Sequence, residues 1–190
     1  MSAIESDKPR ECSTLKHLQW TLDFDWSLLT YGRLLRPHWI ERATNWREGR
    51  ADTPAWCNVM ASIEQPNWTS LQNSHSRLGL NADFREGPAF CSDRVYDWYP
   101  ELAEQTIRKL DKDSIDDMHP AAKAIRGYLD IIHVHPFNDG NTRAACLWFT
   151  WSLVSCGYDV PNMQNIIRLP TPPGNQRVPE IIGKLLADDE

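Results

Sequence analysis

The sequence predicts a mainly helical domain with one small β-hairpin. Apolar residues recur at helical spacing in several runs, and Pro and Gly stand at the ends of those runs. Residues 66–99 hold no such period. With 190 residues, 41% of them hydrophobic and 24% charged, the chain suits one domain. The expected division is a disordered N-terminus at 1–12, a single helical domain at 13–160, and an irregular C-terminal tail with a short helix at 161–190.

The elements follow in order. Trp20, Phe24, Leu28, Leu29, Leu34 and Leu35 suggest one or two helices within 13–48, broken near Pro37. Residues 54–65 read as a helix with Pro54 in its first turn. Within the irregular 66–99 stretch, Asp83 to Phe90 reads as a strand and turn, and Val95 to Tyr99 as the return strand. Pro100 to Lys112 reads as a helix, acidic early (Glu101, Glu104) and basic late (Arg108, Lys109, Lys112), as the helix dipole favours. Asp111 to Asp117 is expected as a solvated acidic connector. Pro120 opens another helix, with Ala121, Ile125, Leu129 and Ile132 on one stripe. Pro136 stops it. A further helix begins after Gly140-Asn141, buries Ala144, Leu147, Trp151 and Val154, and ends near Gly157. Residues 161–177 read as irregular, and Pro179 to Leu186 as a last short helix.

The formal net charge of −6 argues against a nonspecific nucleic-acid partner. The five cysteines are odd in number and form no CxxC pair, which favours reduced thiols over a disulfide scaffold or zinc ribbon. Met1 to Arg10 has no apolar core of a signal peptide, and no run is long enough to span a bilayer. The expectation is a cytoplasmic protein without a membrane partner, with delivery into another cell by a signal-independent route left open.

The chemistry concentrates in His135-Pro136-Phe137-Asn138-Asp139-Gly140-Asn141-Thr142-Arg143. This run lies between two predicted core helices. The first turn of the second helix has unpaired N–H groups and a positive dipole end. Gly140 accepts positive φ and admits close backbone approach, so Gly140, Asn141 and Thr142 are candidates for an anion nest suited to phosphates. Arg143 would grip phosphate oxygens in a fork. Asp139 is a hard oxygen ligand, and Mg2+ commonly takes one or two carboxylates plus phosphate oxygens. His135, with an unperturbed pKa of ~6.5, is a candidate general base. Phe137 reads as a buried anchor. Asn138 would position either the loop or the nucleotide. His133-Val134-His135 is not expected to bind zinc, because side chains at i and i+2 on a helix point apart. Cys146 and Cys156 read as structural thiols.

The run resembles the Fic (Fic/Doc) family signature, His-Pro-Phe-any-Asp/Glu-Gly-Asn-Gly/Lys-Arg, with Thr142 in the place of Gly or Lys. The similarity extends from about His119-Pro120 to Gly157-Tyr158. It implies an all-helical fold with a β-hairpin flap. It also implies Mg-dependent transfer of a nucleotidyl group, most often AMP from ATP, to a Ser, Thr or Tyr hydroxyl of a target protein. By position, His135 would be the base, Asp139 the magnesium ligand, and Asn138 with Gly140 to Arg143 the nucleotide and phosphate contacts. Phe84-Arg85 would be the flap pair that docks the target by strand addition. Thr44-Asn45-Trp46-Arg47-Glu48-Gly49 is similar to the family's inhibitory string, with Thr44, Glu48 and Gly49 in the matching places.

Two departures shape the alternatives. Many AMP-transferring members have a second Arg three residues after the first, and this chain has Cys146 there. Thr142 places a β-branched side chain in the nest. A Doc-like phosphotransferase, phosphocholine-type transfer, a small-molecule-modifying enzyme and an inactive nucleotide-binding module therefore remain open, as does a small antitoxin-like regulator.

Overall fold

A computed structural model describes residues 10–12, 14–91 and 94–187. β1 (Arg10–Cys12) and α1 (Thr14–Asp23) are followed by α2 (Trp39–Thr44), α3 (Thr53–Ala61) and α4 (Trp68–Arg77). Next come β2 (Ala89–Cys91), β3 (Arg94–Tyr96), α5 (Leu102–Ile115), α6 (Pro120–Val134) and α7 (Asn141–Val154). α8 (Met163–Arg168) and α9 (Arg177–Ala187) complete the order. The chain is mainly helical with a small sheet, as expected.

α6 and α7 form the centre. Pro120 opens α6 at a position where its missing N–H costs nothing, and the His119 ring accepts the Ala121 N–H at 3.2 Å. The apolar stripe proved too modest an expectation. Nearly all of α6 and α7 is buried, because α1, α5 and α9 also pack on α6, while α3 and α4 pack on α7. The two central helices cross closely at Gly127. A Cβ there would meet the Trp148 indole, whose Nε1–H donates to the Lys123 carbonyl at 3.1 Å.

Burying α6 on every side also buries its polar residues. Asp130 accepts from His17 Nε2 at 3.0 Å and pairs with Lys109. Lys109 and Arg126 both reach Asp113, at 3.2 and 3.1 Å. Burial works against the Asp130 charge, yet Lys109 and His17 hold its carboxyl well below the usual range. This network ties α1 and α5 to α6.

Several expectations are corrected. α4 was missed because Ser74 and His75 occupy buried positions beside Trp68 and Leu71, so the helical period is invisible to an apolar count. Asn67 caps it by accepting the Ser70 N–H at 2.9 Å. The acidic connector is helical to Ile115, since Asp113 is buried against cations rather than solvated. The C-terminal region contains α8, and α9 packs on α6 through the core positions Val178, Ile182 and Leu186, so it is no loose tail. In the N-terminal segment expected to be disordered, residues 1–9 lie outside the described residues. Arg10–Cys12 instead pairs in parallel with β3, satisfying backbone groups on the edge of β3 that β2 leaves open.

The hairpin exists but is shorter than expected. β2 and β3 pair antiparallel, with Phe90 opposite Val95. Asp83 to Arg85 lies outside it, and Phe84 bridges antiparallel to Phe137 instead. The sheet order β1-β3-β2 leaves β2 as an edge strand among the described residues. No helix among them is long and apolar enough to cross a membrane.

Candidate active site

The signature run folds as the loop joining the two central helices. His135 ends α6 in the left-handed region, φ 55° and ψ 57°, with its N–H donating to the Ile131 carbonyl at 3.0 Å. A non-glycine residue seldom sits there, and one held before proline is constrained by what surrounds it. Its ring stacks on Tyr96 of β3, with centroids 4.0 Å apart. Nδ1–H points to the Ile132 carbonyl at 3.4 Å, which leaves Nε2 as the proton-accepting nitrogen. Burial pushes the imidazole pKa down from its ordinary value, and the Arg85 and Arg94 charges add to that. Burial thus favours the neutral imidazole, the form a general base needs.

The loop itself is fixed from below. Phe137 is fully buried between Trp68, stacked at 5.0 Å, and His75, stacked at 3.7 Å. The Asn141 side chain closes a ring of two hydrogen bonds: its Oδ1 accepts the Phe137 N–H and its Nδ2 donates to the Phe137 carbonyl, both at 2.8 Å. Gly140 has φ 79°, and a Cβ there would lie 2.8 Å from Leu80 and 3.0 Å from His75 Nε2. Glycine is required twice, by conformation and by space.

α7 then starts at Asn141, with Gly140 as its N-cap residue. Helix geometry leaves the N–H groups of Asn141, Thr142 and Arg143 without intrahelical partners. They border a cleft of about 570 Å³ lined by His135, Asn138 to Arg143, Trp46, Arg47, Pro88 to Cys91 and Ile167. The cleft thus has the loop as its floor, β2 as one wall, and the turn after α2 together with α8 as others.

Charge in the cleft is paired. Arg143 reaches Asp52 at 2.9 Å and Asp139 at 3.1 Å. The Asp139 carboxylate, largely exposed on the rim, also accepts the Gly140 N–H at 2.6 Å. Among the described residues no group of three or more His, Cys, Asp or Glu converges on a metal position. A hard cation here would have Asp139 and the oxygens of a bound ligand, the donor set that magnesium with a phosphate takes.

Residues 69–153 match the Fic/DOC family. This segment is similar to Fic/DOC family domains. It runs from α4 through the hairpin to the end of α7 and contains the whole loop. No curated protein matches the chain. Among solved structures, a Fic family protein from Desulfovibrio desulfuricans G20 superposes with a TM-score of 0.45 at 14% identity. The superposition covers 91% of this chain and 54% of that one, so the chain spans about half the length of this neighbour.

Within this segment the expected residues divide into those that meet the cleft and those that hold it. His135, Asn138, Asp139, Gly140, Thr142 and Arg143 line it. Asn138 is exposed. The Asn141 side chain was expected at the phosphates but is committed to Phe137, so this residue offers only its backbone N–H. Arg85 is not a docking residue. It is buried and donates to the carbonyls of His135 at 2.8 Å, Val134 at 2.9 Å, Asp97 and Gly87. Burial lowers its pKa to about 10, which still leaves it charged. Phe84 packs on Trp68 at 5.7 Å. This pair clamps the hairpin stem to the loop, aided by the Arg85 N–H donating to the Pro136 carbonyl at 2.8 Å.

The Thr44 to Gly49 string is not one helix. Thr44 ends α2 with its hydroxyl on the Ile40 carbonyl at 2.7 Å, Asn45–Arg47 is a 3-10 turn, and Glu48 and Gly49 are exposed. The side chains of this string that enter the cleft are Trp46 and Arg47. Sequence reading also missed His75, Tyr96 and Asp52. Each lies far from the motif in sequence and meets it only through the fold.

Proposed function

We propose that the protein is a Fic-type transferase that moves AMP from ATP to a hydroxyl of a target protein. One observation carries the reading: His135, the open first turn of α7 and Arg143 all face one cleft lined by β2, an edge strand among the described residues. The triphosphate would lie on the N–H groups of Asn141 to Arg143, with Arg143 gripping its oxygens. Asp139 is the carboxylate that would hold magnesium together with those oxygens, and the ion would supply charge neutralisation there. An extended target segment would add to the open edge of β2, whose residues line the cleft. His135 Nε2 then takes the proton of the acceptor hydroxyl. The hydroxyl oxygen bonds to the α-phosphorus, the bond from that phosphorus to the bridging oxygen breaks, and pyrophosphate leaves.

The test is transfer from ATP labelled separately on the α and γ phosphates, with magnesium and a cell lysate as the source of acceptors. Label from the α position on a protein is the expected outcome, reduced about 10²–10⁴-fold by His135→Ala. Label from γ alone would replace nucleotidyl by phosphoryl transfer. Nucleotide binding without label on protein or small molecules would point to an inactive binding module.

A further inference from the structure

Arg143 is not alone in the cleft. Cys146, one turn further along α7, is buried and uncharged, so that turn of the helix adds no second cation. Arg47, from the turn after α2 and outside the segment 69–153, lines the same cleft. Its guanidinium pairs with Asp52, and Asp52 Oδ2 also accepts from Arg143 at 2.9 Å. Two guanidinium groups thus converge on one carboxylate. The Arg47 side chain is mostly covered, lies over the Trp46 ring at 5.2 Å, and its buried Nε–H has no hydrogen-bond partner. Trp46 in turn packs edge-on against the buried Trp56 at 5.8 Å. A fixed, desolvated fork with an unspent donor suits an oxyanion better than a single carboxylate can satisfy.

We propose that Arg47 and Arg143 form a two-arginine clamp for the phosphate chain of the donor, with Asp52 occupying the clamp until phosphate oxygens displace it. The proposal rests on the transferase reading in its choice of ligand, a nucleoside polyphosphate. The clamp itself requires only a linear polyphosphate. Asp52 is held ionised by its bond to Arg47 and by the charges of both arginines, so it competes as an anion at neutral pH. A triphosphate presents more oxygens to the two forks than one carboxylate does. A monophosphate does not span both.

Calorimetry of the full chain with inorganic triphosphate, ATP and AMP tests this. Arg47→Ala is expected to weaken triphosphate binding about ten- to a hundredfold, with little change for AMP. Arg47→Lys, which keeps the charge but not the fork, should fall between. Asp52→Asn should tighten triphosphate binding severalfold, a gain that a folding defect would not produce. Arg108→Ala, an exposed cation on α5, should leave it unchanged. Triphosphate binding by Arg47→Ala within about twofold of the wild type, or none by the wild type, overturns the clamp. Arg47-dependent triphosphate binding with no affinity for ATP leaves the clamp standing and overturns the nucleotide reading.

Discussion

Replacing Gly127 with alanine sets two effects of opposite sign against each other. Helix propensity alone favours alanine by about 1 kcal/mol at an interior position. Packing opposes it. A Cβ at Gly127 would lie 1.9 Å from Trp148 Nε1 and 2.3 Å from Cε2, where attraction needs roughly 3.5–4.0 Å. The indole has nowhere to retreat, because Trp148 is fully buried and bonded to the Lys123 carbonyl. Either α6 and α7 move apart or the ring leaves its rotamer and orphans its N–H. Overpacking costs about 1–3 kcal/mol and an orphaned buried donor about 1–3 kcal/mol. With both costs incurred the loss is about 2–6 kcal/mol, and less the propensity gain Gly127→Ala should destabilise by about 1–5 kcal/mol. That corresponds to a fall in Tm of roughly 2–20 °C. Urea denaturation followed by tryptophan fluorescence measures the first, and calorimetry the second. A variant as stable as the wild type, or more so, would refute the claim that this close crossing sets the spacing of the helices that carry the loop.

Asn141→Ala removes both partners of Phe137, leaving its buried N–H and carbonyl each short by about 1–3 kcal/mol. Chemical denaturation should show the loss, and a change below about 0.5 kcal/mol would mean the loop does not depend on this ring. Arg85→Lys keeps a charge but cannot reach four carbonyls at once. A loss of about 2 kcal/mol or more is expected, with weaker hydrogen-exchange protection at Pro88–Tyr96; unchanged protection would contradict the clamp role. For pH, burial depresses the pKa of His133 well below its ordinary value, and lowers His75 and His135 as well. The unfolded chain takes up these protons near pH ~6.5 while the folded chain does not. This stabilisation is complete above that pH and is lost as pH falls toward the folded pKa values, by up to about 1.4 kcal/mol per pH unit per histidine. A Tm that stays flat between pH 7.5 and 5.5 would show that the rings are not buried neutral.

The nine residues from His135 to Arg143 were legible as a site because nearly all their chemistry is local. A proline ends one helix, a glycine starts the next, and base, acid and cation follow within a few residues. The same holds for α6 and α7, whose ends and apolar content can be read directly. What failed did so where burial fell on polar side chains. Ser74, His75 and Asp113 do not look like core residues, so α4 and the end of α5 were not seen. Phe84-Arg85 was placed in the correct region with the wrong task, because the number of carbonyls an arginine will meet is a property of the fold.

By itself, the sequence determined the helical class, the helix–loop–helix at the centre, and the resemblance that the match over 69–153 bears out. These rest on spacing, turn residues and a contiguous motif, all of which act over short stretches of chain. Tertiary structure decided which members of the motif face the cleft and which hold it. It turned the Asn141 side chain inward, stacked Tyr96 on His135, and brought Arg47 and Asp52 to Arg143 across some ninety residues of chain. Such pairings depend on where helices pack, and nothing local in a sequence records that.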